Sequence, residues 1–145
     1  MVVEKVVEAT NEVLSAVQSL VPLLRNHKVI PTREALSALV SSGVSTLLMA
    51  RYPDTSSEIA GMLCLSVYRA PTGIRSVVED VVVHERYRGH GIAQSMLKQA
   101  VELAREAGAD SVSLTSNPAR EAANRLYQKM GFIKRDTNSY FYKLK

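Results

Sequence analysis

Residues 81–93 read Val-Val-Val-His-Glu-Arg-Tyr-Arg-Gly-His-Gly-Ile-Ala and join a β-branched segment to an amphipathic one. The apolar residues that follow recur at helical spacing; they are Ile92, Met96, Ala100, Leu103 and Ala107. A helix start presents unpaired N–H groups and a partial positive charge. Gly89 and Gly91 let a ligand approach the backbone, and Arg86 and Arg88 can bind phosphate oxygens. The stretch therefore predicts a strand, a turn able to hold a pyrophosphate, and a helix.

Two common phosphate-binding loops do not fit this turn. The string Gly-x4-Gly-Lys-Ser/Thr of a P-loop does not occur in the chain. A dinucleotide fingerprint would need a third glycine where the chain has Gln94, and an acidic residue after the second strand, whereas Asp110 precedes that strand. The alternative to a ligand site is a pair of glycines that merely permits a tight turn.

The remaining sequence predicts alternating strands and helices in a single domain, residues 1–145. The predicted strands are 2–7, 45–51, 58–69, 74–83, 111–116, 132–135 and 140–144, and the predicted helices are 11–24, 31–43, 92–107 and 117–130. Short turns make residues 45–83 an antiparallel meander. Residues 74–116 form a strand–helix–strand unit, for which a right-handed parallel crossover is expected. We expect an α/β fold with a mixed, mostly antiparallel central sheet and helices on both faces.

Composition narrows the class of protein. The 145 residues are 46% hydrophobic and 22% charged, which is typical of a globular chain. The one cysteine, Cys64, excludes an internal disulfide framework, and we expect it to be a small core residue. No apolar run is long enough to span a membrane, and no secretory signal is evident, so we expect a soluble, cytoplasmic protein. His, Asp and Glu show no metal-ligand spacing, and we expect no metal.

The net charge of +4 does not indicate a nucleic-acid partner. Its densest basic stretch is the short turn at residues 86–90, which suits a small phosphate ligand better than a duplex. Aromatic residues are few, at 6%, and no recognition-helix pattern is present. We therefore expect neither a nucleic acid nor a membrane as partner, while an open sheet edge leaves a homodimer possible.

Two motifs, in the same order and on the same elements, resemble those of the GNAT family of N-acetyltransferases. Arg88-x-x-Gly91-x-Ala93 matches the family's Arg/Gln-x-x-Gly-x-Gly/Ala signature, and Ala123-Asn-Arg-Leu-Tyr-Gln-Lys-Met-Gly-Phe132 is similar to its Asn-x-x-Tyr-x-Lys-x-Gly-Phe segment. The chain resembles the small, single-domain bacterial members. The resemblance implies that an acetyl group passes from acetyl-CoA to a primary amine by direct attack in a ternary complex. The alternative is a non-catalytic module that binds coenzyme A and serves regulation.

The resemblance also implies where acetyl-CoA binds. Its pyrophosphate would meet the turn and the first helical amides, namely Arg86, Arg88, Gly89, His90, Gly91, Ile92 and Ala93. Its pantetheine arm would pair with the backbone of the fourth strand, where the parallel fourth and fifth strands part; the residues concerned are Val81, Val82 and Val83. An N–H near Val81 or Val82 would polarise the thioester carbonyl. Asn124 would bond the arm, and Asn117 would do so or only cap the last helix.

Three residues are predicted to handle protons. Tyr127 lies off the alanine-rich stripe of the last helix, which is the expected core side, and would protonate the leaving thiolate; an ordinary tyrosine at a helix edge is the alternative. Glu79 and Asp80 are expected to point to opposite faces of their strand. Glu79, which then shares its face with Val81 and Val83, is the first candidate for the base. The sequence leaves open which residue is the base and which amine is the acceptor.

Two histidines have weaker expected roles. His84 is a lesser candidate for the base, since an imidazole can act as a base near neutral pH; a solvated residue at the end of a strand is the alternative. His27 lies between the first two helices, a segment that often covers the acceptor in the family that the chain resembles.

Overall fold

The computed structural model describes residues 1–24 and 29–145. They form two units, residues 1–115 and residues 116–145. The first unit contains β1 (Val2–Lys5), α1 (Asn11–Leu20), α2 (Arg33–Ser41), β2 (Ser45–Arg51), β3 (Ile59–Ala70), β4 (Gly73–Val83), α3 (Ile92–Glu106) and β5 (Val112–Ser113). Short 3₁₀ helices occupy Val21–Leu23 and Glu85–Tyr87. The second unit contains α4 (Glu121–Lys129).

The five strands form one sheet in the order β1-β2-β3-β4-β5. Neighbouring strands are antiparallel except for β4 and β5, which are parallel. The predicted mixed, mostly antiparallel sheet and its parallel pair are confirmed. Only two pairs join β5 to β4, Ser76 with Val112 and Val77 with Ser113. Beyond Val77, β4 therefore runs on without a β5 residue beside it.

The helices α1 and α2 cover one face of the sheet. Each begins at a threonine whose hydroxyl accepts a backbone N–H, from Val13 to Thr10 and from Ala35 to Thr32, both at 3.2 Å; such caps satisfy amides that the first turn leaves unpaired. Behind them lies an apolar core of helix and strand residues: Val13, Val17, Leu20, Leu36, Leu47, Met49 and Met62. Pro22 lies within the 3₁₀ helix Val21–Leu23 that follows α1, so α1 ends at Leu20 and is shorter than predicted.

The helix α3 packs against the strands with its own buried stripe of Ile92, Met96, Leu97, Ala100 and Ala104. Strand residues alternate between faces, so Leu48 and Leu63, both fully buried, lie opposite the core beneath α1 and α2. A Cβ on Gly61 would lie 2.9 Å from the Val82 carbonyl oxygen and 3.2 Å from Met96 Cε, so only glycine fits this close approach. The prediction of helices on both faces is confirmed.

A β-bulge interrupts β4 just where the sequence placed its carboxylates. Cys64 pairs with Glu79 and Met62 pairs with Val82, which leaves two β4 residues opposite Leu63. One of the two is Asp80, whose φ of 53° lies in the left-handed region. A bulge shifts the alternation of faces by one residue. The prediction that Glu79 shares its face with Val81 and Val83 is therefore wrong, because Glu79 lies on the face of Val82.

The predicted strands 132–135 and 140–144 do not form. Residues 132–145 have no strand, and Tyr140, Phe141, Tyr142 and Leu144 are exposed. Their β-branched and aromatic composition favours strands, but a strand needs a hydrogen-bonded neighbour, and a lone hairpin is marginally stable in water. Within residues 116–145 the two segments do not pair with each other. Among the described residues, no helix is both long and apolar enough to cross a membrane.

Candidate active site

The turn between β4 and α3 is built by its own side chains and backbone. The Arg86 N–H donates to His84 Nδ1 at 3.2 Å, and Arg88 Nε donates to the Val83 carbonyl at 3.2 Å. Gly89 and Gly91 adopt φ angles of 84° and 75°, which side chains rarely allow. Gly91 is the N-cap residue of α3. The predicted succession of strand, turn and helix is observed, with the helix starting at Ile92.

The start of α3 is open to a ligand. No side chain among residues 1–24 and 29–145 caps its first turn, whose N–H groups have no acceptor within the helix. A Cβ built on Gly89 or Gly91 would meet no atom within 4 Å. Free amides, the positive end of a 15-residue helix and space beside the backbone are what an anion requires. The residues present therefore fit the pyrophosphate of coenzyme A.

The basic side chains of the turn have contacts of their own. Arg86 forms an ion pair with Glu58 at 3.2 Å, and its guanidinium lies 5.4 Å from the centre of the Tyr87 ring. Exposed ion pairs of this kind stabilise little, so a phosphate can replace Glu58 at low cost. His90 stacks on Tyr52, with ring centres 4.7 Å apart. Sequence spacing gives no signal for Tyr52, because only the fold brings the two rings together.

Beyond Val77, β4 offers backbone groups that β5 does not use. The side chain of Val82 is buried in the core, whereas Val81 and Val83 are half-buried. The bulge leaves backbone unpaired near Asp80 and Val81. An extended, amide-bearing chain can pair with such a free strand edge, as the predicted contacts of the pantetheine arm require. The Val83 carbonyl, however, already accepts from Arg88.

A cavity of about 480 Å³ opens on the same face of the sheet as Glu79. Apolar side chains from α1 and α2 form its walls, among them Val17, Leu36 and Leu39. Its polar side consists of Ser45, Cys64, Ser66, Glu79 and Asp80. Both carboxylates thus line one cavity, and the prediction that they point to opposite faces is wrong, because the bulge breaks the simple alternation. Both residues are exposed and keep contact with water.

Cys64 lies at this cavity and is half-buried, rather than in the closed core where the sequence placed it. The pKa of its thiol is raised to about 11, chiefly by burial and then by the nearby Asp80 and Glu79 carboxylates, while hydroxyls of Ser66 and Ser45 partly oppose this rise. Those two hydroxyls lie 2.9 Å apart. A thiol with so high a pKa is a poor nucleophile at neutral pH.

We expect iodoacetamide to alkylate Cys64 roughly 100-fold more slowly at pH 8 than a free cysteine, since two pKa units reduce the thiolate about 100-fold. The rate should rise about tenfold per pH unit to near pH 11. The ordinary thiol pKa is 9.0, so the unfolded state loses its proton first. The free energy of unfolding therefore falls as pH rises from 9 to 11. Mass spectrometry of the alkylated chain measures the rate; alkylation as fast as that of a free cysteine at pH 8 would contradict this assignment.

The second unit holds the other predicted site residues. Asn124 Nδ2 donates to the Asn117 carbonyl at 3.0 Å, and Asn117 Oδ1 accepts from the Ala119 N–H at 2.8 Å. Asn117 thus shapes the turn before α4 instead of capping the helix, which starts at Glu121. Asn117 and Asn124 are therefore in contact with each other; their contact with a coenzyme stays a prediction.

Tyr127 is the buried residue of α4 and is 6% exposed. Its ring meets that of Phe132 edge-on, with centres 6.0 Å apart. The predicted core side of this helix is correct only in part. Ala123, Leu126 and Met130 are half-buried, but Ala119 and Ala122 are exposed. Tyr127, predicted to lie off that side, is buried more deeply than any of them. Small alanines bury little area, so the large tyrosine ring gains more from burial. Within residues 116–145, no group forms a hydrogen bond with the Tyr127 hydroxyl.

One polar group was missed by the sequence analysis. The Ser116 hydroxyl is buried and has no hydrogen-bond partner among the described residues. An unpaired buried hydroxyl is costly, which makes it a candidate contact for a bound ligand. A serine at the last position of a predicted strand gives no signal of this in the sequence. His27 lies outside the described residues; among those described, no three metal-ligating side chains come together.

Comparison with known proteins identifies the family. A solved structure of an acetyltransferase from Trypanosoma brucei superposes with a TM-score of 0.79 at 20% identity, covering 98% of this chain and 99% of that one. The fold is thus that of known acetyltransferases. The family model described as "Acetyltransferase (GNAT) family" matches residues 24–132. The chain belongs to the GNAT acetyltransferase family.

Curated relatives match over shorter stretches of the chain. "N-alpha-acetyltransferase 30" of Schizosaccharomyces pombe is 25% identical over 81 residues, which are 56% of this chain and 54% of the relative. "Probable glucosamine 6-phosphate N-acetyltransferase 2" of Oryza sativa subsp. japonica is 37% identical over 65 residues, which are 45% of this chain and 37% of the relative. The matched region thus spans about half or less of the length of these two relatives.

Proposed function

We propose that the chain is an N-acetyltransferase that transfers an acetyl group from acetyl-CoA to a primary amine while both are bound. Membership of the GNAT family and the N-acetyltransferase names of the relatives support this activity. The observation that carries the proposal is the open start of α3, where Gly91 leaves the first-turn amides accessible. This helix start follows the turn after β4, the strand that carries Glu79 and Asp80.

Acetyl-CoA supplies an activated acyl thioester when it is bound. The amides of Ile92 and Ala93, with Gly89 and Gly91 beside them, would hold its diphosphate. Arg86 and Arg88 would add charge-assisted hydrogen bonds. The free edge of β4 near Val81 would orient the rest of the molecule through backbone hydrogen bonds.

The reaction requires two proton transfers, one from the amine and one to the leaving sulfur, and side chains of this protein would carry out both. An alkylamine with a pKa near ~10.4 is mostly protonated at pH 7, so a base must take its proton. Glu79 and Asp80 line a cavity that can admit the amine. When the C–S bond of the thioester breaks, Tyr127 would donate its hydroxyl proton to the leaving thiolate of coenzyme A. The family motif around Tyr127 and the unpaired hydroxyl support that role.

Thiol release from acetyl-CoA against a panel of primary amines tests the proposed function. We expect amine-dependent release of coenzyme A together with acetylated amine detected by mass spectrometry. Tight binding of acetyl-CoA without turnover on any amine would instead favour a non-catalytic coenzyme-binding module. No binding and no turnover would reject both readings.

A further inference from the structure

We propose that the cavity beside Glu79 and Asp80 selects acceptors in which a primary amine is joined to an apolar group and no anionic group is present. This inference rests on the proposed function, and it adds the substrate class. Two sources share this chemistry: a small apolar amine, and the N-terminus of a peptide whose first side chain is apolar.

The walls of the cavity favour an apolar group. Val17, Val21 and Leu36 are buried side chains that face it, and Leu39 and Met62 continue the apolar lining. Its volume, about 480 Å³, accommodates a group of the size of a leucine side chain with space to spare. Placing such a group there removes apolar surface from water on both sides of the contact.

The charge of the cavity favours an ammonium group and opposes an anion. Its two charged lining residues are Glu79 and Asp80, and among the described lining residues there is no lysine, arginine or histidine. A carboxylate or phosphate on the acceptor would lie near two like charges, and no described lining residue would offer it a cation. Such repulsion contributes to specificity. The protonated amine of the substrate is attracted before it loses its proton.

The Cys64 thiol lies at this cavity, and its raised pKa indicates that a negative charge is unfavourable there. The same two carboxylates help to keep its thiol protonated by raising its pKa. A ligand carboxylate at that depth would meet the same burial and the same repulsion. The cavity therefore disfavours an aminosugar phosphate such as glucosamine 6-phosphate, after which the rice relative is named.

Two matched pairs of acceptors test this inference. Hexylamine and 6-aminohexanoate have amines of similar basicity and differ in one carboxylate. Leu-Ala-Ala amide and Glu-Ala-Ala amide make the same comparison on a peptide N-terminus. We expect kcat/KM to favour the neutral member of at least one pair by tenfold or more, and the pair with the higher values identifies the source. Equal or better use of the anionic members in both pairs would overturn the inference.

A binding measurement keeps the test independent of turnover. Calorimetry with hexylamine and with 6-aminohexanoate, on protein saturated with coenzyme A, should show weaker binding of the carboxylate by tenfold or more. Turnover with reversed selectivity would reject this inference and leave the proposed function standing. Failure of every amine to react, with selective binding of hexylamine intact, would reject the proposed function and leave the cavity's preference standing.

Leu39→Ala and Val40→Ala form a matched pair of variants on α2. Both side chains are half-buried, but only Leu39 lines the cavity. We expect Leu39→Ala to raise the KM or the dissociation constant of hexylamine at least about fivefold, because apolar contacts with the ligand are lost. Val40→Ala should leave both values near those of the wild type. Equal effects of the two substitutions would overturn the placement of the apolar group.

Discussion

Tyr127→Phe lowers kcat by about 10²–10⁴-fold if the Tyr127 hydroxyl protonates the departing sulfur, the usual range for a positioned acid. The affinity for acetyl-CoA should stay within about twofold, because the change removes one oxygen atom from a site that binds the coenzyme mainly through other groups. Steady-state kinetics with calorimetry of acetyl-CoA gives both quantities on the same protein.

The substitution is mild for the fold. The phenyl ring keeps its edge-on contact with Phe132, and within residues 116–145 the lost hydroxyl has no hydrogen-bond partner. Tyr68→Phe, which removes a hydroxyl from a 44% exposed tyrosine on β3, is the matched control and should leave kcat unchanged. An unchanged kcat in Tyr127→Phe would remove this residue from the mechanism and leave it as a buried structural tyrosine.

Glu79→Gln should lower kcat/KM by about 10²-fold at pH 7, because the isosteric amide cannot accept the proton of the amine. The defect should shrink towards pH 10, where an alkylamine with a pKa near ~10.4 is increasingly neutral without help. A pH profile of kcat/KM for both proteins measures this convergence. A purely structural role of Glu79 predicts a defect that does not depend on pH.

Asp80→Asn is the matched control for this experiment. Asp80 lines the same cavity but lies in the β-bulge, with a φ of 53° that asparagine also tolerates. We expect Asp80→Asn to lose less than tenfold, with no convergence at high pH. The reverse pattern, with the large and pH-dependent loss in Asp80→Asn, would move the base to Asp80.

Local sequence signals were sufficient to predict the central strands of the sheet and the start of α3. The β-branched run before His84, the two glycines and the apolar stripe from Ile92 predict β4, the turn and α3, since each is a local preference. The antiparallel meander follows from short turns, and the parallel β5 follows from a helical crossover. These parts of the structure need no knowledge of distant contacts.

The cavity could not be predicted, because it depends on register. Ser45, Ser66 and Cys64 lie beside Glu79 only through the pairing of β2, β3 and β4. The bulge at Asp80 shifts the faces by one residue, and no glycine or proline in that stretch signals it. Tertiary packing thus overrode the period-two rule at the two carboxylates on which the proposed chemistry depends.

At residues 140–144 the sequence predicted a strand that the structure does not contain. Tyr140, Phe141 and Tyr142 have strong strand propensity, yet residues 140–144 form no strand. Propensity describes how a residue fits a paired, half-buried surface, and it cannot supply the neighbouring strand. On α4 the alanine stripe likewise misplaced Tyr127, which was expected off the buried side and is buried, because burial follows area rather than the count of apolar residues.

The central claim is that the amides at the start of α3 hold the diphosphate of coenzyme A, and calorimetric titration of acetyl-CoA into wild type, Gly91→Ala and Gly43→Ala tests it most directly. Gly43 and Gly91 have φ angles of 74° and 75°, and a Cβ on either meets no protein atom within 4 Å. Both substitutions therefore strain the backbone equally, at about 1–2 kcal/mol, but only the one at Gly91 obstructs the amides. We predict binding to the wild type and to Gly43→Ala, and at least about tenfold weaker binding to Gly91→Ala, where a methyl group occupies the ligand's space. Wild-type affinity in Gly91→Ala, or no heat of binding with the wild type, would contradict the claim.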